Sequence, residues 1–149
     1  MAAGAWTFYN LAKQNLGNGK LNLSGGHYRM TLYTSASNAA TATLSTLASV
    51  TNELTEANGY SSSGKAISTT WGAGASGGQR RFTYSPSPVW TGTGGTISNI
   101  KYAVIWCSGA SAGARKLLCY SQLSTAQFNL TINNTLTISP SGTGVFNLA

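Results

Sequence analysis

The side chains able to carry acid–base, metal or thiol chemistry are few in this chain. There is one histidine, His27, two carboxylates, Glu53 and Glu56, two thiols, Cys107 and Cys119, and no aspartate. A nucleophile–base–carboxylate triad would have to combine His27 with one of the glutamates. His27 follows Gly25-Gly26 at the start of an alternating stretch, which reads as a surface position. Glycoside hydrolysis needs two carboxylates flanking the scissile bond. Glu53 and Glu56 lie three positions apart in Thr51-Asn52-Glu53-Leu54-Thr55-Glu56, and on a helix they would be neighbours, not opposed across a sugar. They read as solvated loop charges. No spacing among His, Cys and Glu matches a zinc site. The two cysteines read as reduced, small apolar side chains on consecutive strands. Gly72-Ala73-Gly74-Ala75-Ser76-Gly77-Gly78 is glycine-rich but lacks the lysine and following helix of a phosphate cradle. The expectation is a non-enzyme with no catalytic residue, no metal and no cofactor.

Charge narrows the class further. Charged residues make up 7% of the chain, and nine Lys and Arg against two Glu give a formal charge of +7. Gly, Ser, Thr, Ala and Asn fill the place of a charged surface, and hydroxyls and amides cost far less to desolvate than unpaired charges. Such a surface suits burial against neighbours. The basic residues are scattered: Lys13, Lys20, Arg29, Lys65, Lys101 and the pairs Arg80–Arg81 and Arg115–Lys116. In a strand Arg80 shares a face with Phe82 and Tyr84 while Arg81 shares the other with Thr83, so the pair does not build one nucleic-acid platform. Neither nucleic acid nor a membrane is expected as a partner. The start MAAGAWTFYNLAKQ lacks the basic and apolar regions of a secretory signal, and no stretch has the apolar length of a transmembrane helix. Synthesis in a reducing cytosol follows.

The elements that must position these residues are mostly strands. Residues 5–16 predict a short helix, with Trp6, Tyr9, Lys13 and Leu16 on one stripe, Thr7 as its cap and Gly17-Asn18-Gly19 as its stop. From Leu21 the period becomes two. In His27–Thr34, Tyr28, Met30 and Leu32 face one way, and His27, Arg29, Thr31 and Tyr33 the other. Further strands are predicted at Lys65–Trp71, Gln79–Tyr84, Val89–Thr91, Ile97–Cys107, Lys116–Leu123, Gln127–Ile132, Thr135–Ile138 and Val145–Leu148, with one helical turn in Leu44–Val50. Tyr102–Trp106, apolar on both faces, should be a central strand. Asn133-Asn134 predicts a tight hairpin, and Gly72–Gly78 and Ser108–Ala114 predict hairpin tips. Of the tryptophans, Trp106 is expected in the core and Trp6 at the surface. Eight or nine short strands imply an all-β antiparallel sandwich, a jelly roll being the expected version, with a short N-terminal helix. Residues 1–20 form an N-terminal segment and 21–149 the β-sandwich domain.

The order of several motifs resembles a family of small tailed-bacteriophage virion proteins. They are Trp6-Thr7-Phe8-Tyr9-Asn10 with Lys13, Met30 through Ala40, Glu53 leading into Ala57-Asn58-Gly59-Tyr60, and Gly94-Gly95-Thr96-Ile97 followed by Tyr102–Trp106. Leu117-Leu118-Cys119-Tyr120 and Asn134–Ile138 complete the set, so the resemblance spans nearly the whole chain. Where family members often carry an acidic residue after the central strand, this chain has Cys107-Ser108-Gly109. The resemblance implies a jelly-roll-like virion protein made in the host cytoplasm. It implies a capsid cement or decoration protein, or a tail component, and supplies no catalytic residue. The expected partners are the major capsid protein and copies of the chain itself, as a homodimer or homotrimer. Candidate shell contacts are Trp6, Phe8 and Tyr9, within a segment that either clasps a neighbour or packs on its own sandwich, and Arg80, Arg81, Arg115 and Lys116, facing an acidic shell. The alternative is a tail or fibre component binding a host-surface glycan, with Trp71 or Trp90 stacking on sugar.

Overall fold

Alternation of side chains along the chain becomes strand after strand in the computed structural model, which describes residues 3–25, 27–74, 77–109 and 115–148. The strands are β1 (Trp6–Phe8), β2 (Tyr28–Thr34), β3 (Lys65–Ile67), β4 (Thr69–Ala73), β5 (Arg80–Tyr84), β6 (Val89–Thr91), β7 (Ile97–Cys107), β8 (Leu117–Gln122), β9 (Phe128–Leu130), β10 (Thr135–Thr137) and β11 (Phe146–Leu148). Among the described residues one α-helix, α1 (Asn10–Gly17), interrupts them. The largest sheet runs β1-β8-β7-β2-β3, with β9 also pairing β7. A three-stranded sheet runs β11-β5-β4, and β10 pairs β6. Every pairing is antiparallel. The mostly β, antiparallel class with a short N-terminal helix is as the sequence predicts.

β7 is central because both its faces are apolar. Ala103, Val104, Ile105 and Trp106 are all buried, flanked by β2 from Tyr28↔Cys107 to Thr34↔Ile100 and by β8 from Tyr102↔Gln122 to Trp106↔Leu117. β2 departs from its expected polar face. Thr31 and Tyr33 are buried along with Met30 and Leu32, so this strand too is covered on both sides from Met30 to Tyr33. The buried Thr31 hydroxyl donates to the Tyr33 hydroxyl at 3.4 Å, as a desolvated polar group requires.

Aromatic contacts tie the sheets together. Tyr28 of β2 meets Phe82 of β5 edge-on, with centroids 5.4 Å apart. Phe82 stacks on Phe146 of β11 at 5.1 Å, and Phe146 meets Phe8 of β1 at 4.3 Å. Trp90 and Leu136, opposite each other in the two-stranded sheet, complete the same apolar cluster. Full burial of a side chain such as Phe82 contributes about 1.5–3 kcal/mol, and the half-buried Phe8 and Phe146 contribute less.

The N-terminal segment differs from its prediction. Trp6, Thr7 and Phe8 form a strand paired to Ser121, Tyr120 and Cys119, and α1 begins only after Tyr9, which occupies the cap position without a side-chain cap bond. Trp, Thr and Phe favour strand once an edge such as β8 is available, and Thr7 is therefore no cap. The helix stop behaves as read: Asn18 and Gly19 donate to Gln14 and Leu16 carbonyls at 2.9 and 3.1 Å. The stretch read as one strand over Lys65–Trp71 is two, β3 joining β2 and β4 joining β5. Asn133, at φ 64°, makes the tight turn expected. The strands on either side join different partners, β9 to β7 and β10 to β6, so no hairpin results. The helical turn read in Leu44–Val50 is a 3-10 turn at Leu47–Ser49. Of the two glycine-rich tips, residues 75–76 and 110–114 lie outside the described residues.

Candidate functional site

The chemistry-bearing residues are spread along β2 and its neighbours. His27 immediately precedes β2, its carbonyl accepting from the Ser108 backbone N–H at 2.7 Å and from the Ser108 hydroxyl at 3.1 Å. Glu53 bridges to Tyr33 at the other end of the strand. Six residues of extended chain separate His27 from Tyr33, about 20 Å at the rise of a strand. His27 and Glu53 thus cannot act on one bond. Cys119 stands opposite Ile105 in register while the Cys107 N–H donates to the Lys116 carbonyl. The two are therefore not cross-strand partners, and both are free thiols. Burial pushes the Cys119 thiol well up, whereas Cys107 is only partly buried.

The two glutamates have separate settings. Glu56 is exposed and accepts from the Ser62 hydroxyl at 2.5 Å. Glu53, expected to be solvated, is half-buried. Its carboxylate accepts from the Tyr60 hydroxyl at 2.7 Å, and that hydroxyl accepts from the Leu32 N–H at 3.1 Å. Burial raises the Glu53 pKa above the usual carboxylate value; the Tyr60 hydrogen bond and the Arg115 charge oppose the rise, and Glu56 adds to it. Burial of the Tyr60 ring raises its phenol far above the ordinary range, with the Glu53 charge next in effect. This cluster fixes the 53–60 loop onto β2.

The residues read as shell contacts fall into two groups. Trp6 and Phe8 are half-buried and pack against the core of their own chain. Tyr9 has no exposed surface, and its hydroxyl donates to the Ala39 carbonyl at 2.7 Å. These aromatics are occupied within the domain, which corrects the expectation of an exposed Trp6. The basic residues point outward to different degrees. Arg80 and Arg115 are exposed, Arg115 lying over the Trp106 ring at 5.3 Å. Arg81 is half-buried, its stem beside Gly144 and its guanidinium 3.5 Å from the Gly142 carbonyl. Lys116 is half-buried and bridges to Thr46. Arg80 and Arg81 belong to the three-stranded sheet, whereas Arg115 and Lys116 lead into β8 of the large one.

Of the tryptophans read as sugar platforms, Trp90 is 1% exposed and belongs to the core. Trp71 is half-buried and lines a groove of about 410 Å3 with Leu16, Leu21, Leu23 and Leu148. Asn22 joins this groove to a second of about 350 Å3 that holds Lys20, His27 and Cys107. A third depression, passed over in the sequence, lies between the 53–60 loop and the start of β7. The available signal was asparagine: Asn52, Asn58 and Asn99 all sit at positive φ, where asparagine is among the residues most tolerated.

Comparison with protein-family models, with curated proteins and with solved structures gives no match to this chain.

Proposed function

We propose that this chain is a non-enzymatic structural protein of a bacteriophage virion, a cement or decoration protein that binds and stabilises the outer capsid shell. In this reading its sheets form a sandwich of jelly-roll type. The observation that carries it concerns charge pairing. Both carboxylate side chains are hydrogen-bonded to hydroxyls of their own chain, Glu53 to Tyr60 and Glu56 to Ser62, while Arg80 and Arg115 lie exposed. A +7 chain arranged this way presents cations to a partner rich in carboxylates, and its neutral hydroxyl-rich remainder desolvates cheaply against that partner. The separation of His27 from Glu53 along β2 supports the non-enzymatic part of the proposal. Attachment through Arg80, Arg81, Arg115 and Lys116 replaces the N-terminal aromatics as the favoured contact.

Binding of the purified protein to undecorated shells across a salt series tests this. Arg80→Glu combined with Arg115→Glu should weaken binding and flatten its salt dependence, since exposed pairs are worth about 0.2–1 kcal/mol each and are screened by salt. Unchanged binding and salt slope would sink the cement reading. The groove at Trp71 favours a second reading, a tail or fibre component that holds a host-surface glycan. Copy number separates the two: hundreds per virion for a cement, a few to dozens for a tail component.

A further inference from the structure

The depression beside the 53–60 loop combines an irregular backbone with an uncharged polar lining. Its volume is about 200 Å3, on the scale of one sugar ring and not of an extended chain. Leu54, Ala57 and Ile97 are its apolar lining residues, and Thr34, Thr55, Ser98 and Asn99 are among its polar ones. Among the described residues that line it, none carries a charged side chain.

Two strand irregularities place these groups. The β2–β7 register slips between Tyr33 and Thr34, and the β7–β9 register slips between Ile97 and Ile100. The second slip releases Ser98 and Asn99 from the ladder, as a bulge does when it re-aims a side chain. Asn99 has φ 64°, Asn58 φ 56°, and Asn52, whose carbonyl holds the Thr34 N–H at 3.1 Å, φ 57°. Each left-handed non-glycine residue costs on the order of 1–3 kcal/mol and persists only where its surroundings fix it. They are fixed here: the Asn58 side-chain amide donates to the Thr96 carbonyl at 2.8 Å, the Asn99 N–H donates to the Asn129 side-chain oxygen at 2.9 Å, and the Asn52 amide donates to the Ala36 carbonyl at 2.9 Å. The walls are thus pre-set, which lowers the ordering cost of binding.

We propose that this pocket binds a neutral pyranose sugar, whichever virion position the chain occupies. A pyranose presents an apolar ring face to Leu54 and Ile97 and hydroxyls to the threonine, serine and asparagine groups. An anionic ligand would lose its hydration with no cation among the lining groups to replace it, and a purely apolar one would leave the wall hydroxyls without partners.

Two-dimensional amide NMR of the full chain tests the assignment. The titrants are glucose, galactose, mannose and N-acetylglucosamine, with N-acetylneuraminic acid and inorganic phosphate as charged controls. Saturable shifts are expected at Thr55, Asn58, Ser98 and Asn99 with at least one neutral sugar, and not with the charged controls. Ser98→Trp, at an exposed position, should fill the pocket and abolish those shifts while the rest of the spectrum is kept. Thr55→Val, which preserves shape, should weaken binding roughly 2- to 10-fold, the worth of one neutral hydrogen bond. No saturable shift with any neutral sugar at tens of millimolar, shifts that survive Ser98→Trp, or binding of the charged controls alone would overturn it.

Discussion

Glu53 donates nothing and accepts one hydrogen bond from a phenol that is itself buried. Because burial disfavours its charge, the folded chain holds its proton more tightly than the unfolded chain does. The stability it contributes is therefore fully present below the unfolded pKa, and is lost as pH rises through the raised folded pKa. Glu53→Gln keeps an acceptor for Tyr60 and removes the charge. We expect it to raise stability at neutral pH and to remove a loss that begins near the ordinary carboxylate pKa of about 4.3. Urea unfolding of both proteins across that range measures this, and a variant less stable than the parent at neutral pH would show that the charge is needed for the fold. Tyr60→Phe should cost about 1–3 kcal/mol by the same assay, because the buried Leu32 N–H then loses the hydroxyl it donates to. The sequence around Glu53 reads as an exposed loop, and nothing local corrects that. Its burial comes from Tyr33, twenty positions earlier, and from Tyr60, seven later. Arg115 was legible as a surface cation because it follows a glycine- and serine-rich tip, whereas alternation puts Arg80 on the face of the buried Phe82 and Tyr84 and only its place at the end of β5 leaves it exposed.

At the scale of elements, period-two patterning located nearly every strand, and β6 and β7 begin and end where the alternation does. The start of the helix was not legible. Residues 6–8 fit a helical stripe and a strand equally, and the deciding factor is the free edge of β8. The same holds for Lys65–Trp71, where Ser68 marks the change of sheet but only pairing reveals it. The bulge inside β7 left a trace, with Ser98 and Asn99 both exposed between buried Ile97 and Ile100, but the 53–60 loop that completes the pocket comes from a distant part of the chain. The placement of β1 and α1 makes Tyr9 a core residue. Tyr9→Ala should destabilise the domain by about 3–5 kcal/mol, as for other large aromatic truncations, whereas Arg80→Glu should leave the melting temperature within a few degrees. Thermal unfolding of both variants decides it. A Tyr9→Ala protein as stable as the parent would mean that the N-terminal segment is not docked on its own chain.

For the whole molecule, the large sheet is assembled from distant pieces of chain. Trp6 pairs with Ser121 and Tyr28 with Cys107, so sequence patterning alone could not say which strands meet. Pairings of such long range must close large loops before contacts reward them, which makes folding slow. They also fix an order of events during synthesis. β1 and β2 leave the ribosome first, yet β7 and β8, which hold both, are translated last among these four strands. Until then the early strands have unpaired edges, the state most open to association with other chains. A chain stopped after Ser108 should therefore collect in the insoluble fraction on expression, with β2 paired but β1 without its partner. One stopped after Leu123 should be more soluble, a comparison read by centrifugation of lysates. Equal solubility would show that β8 does not secure the N-terminal strand. A nascent chain thus carries β1 without its partner until β8 emerges, and the large sheet is complete only when β9 has followed and paired with β7.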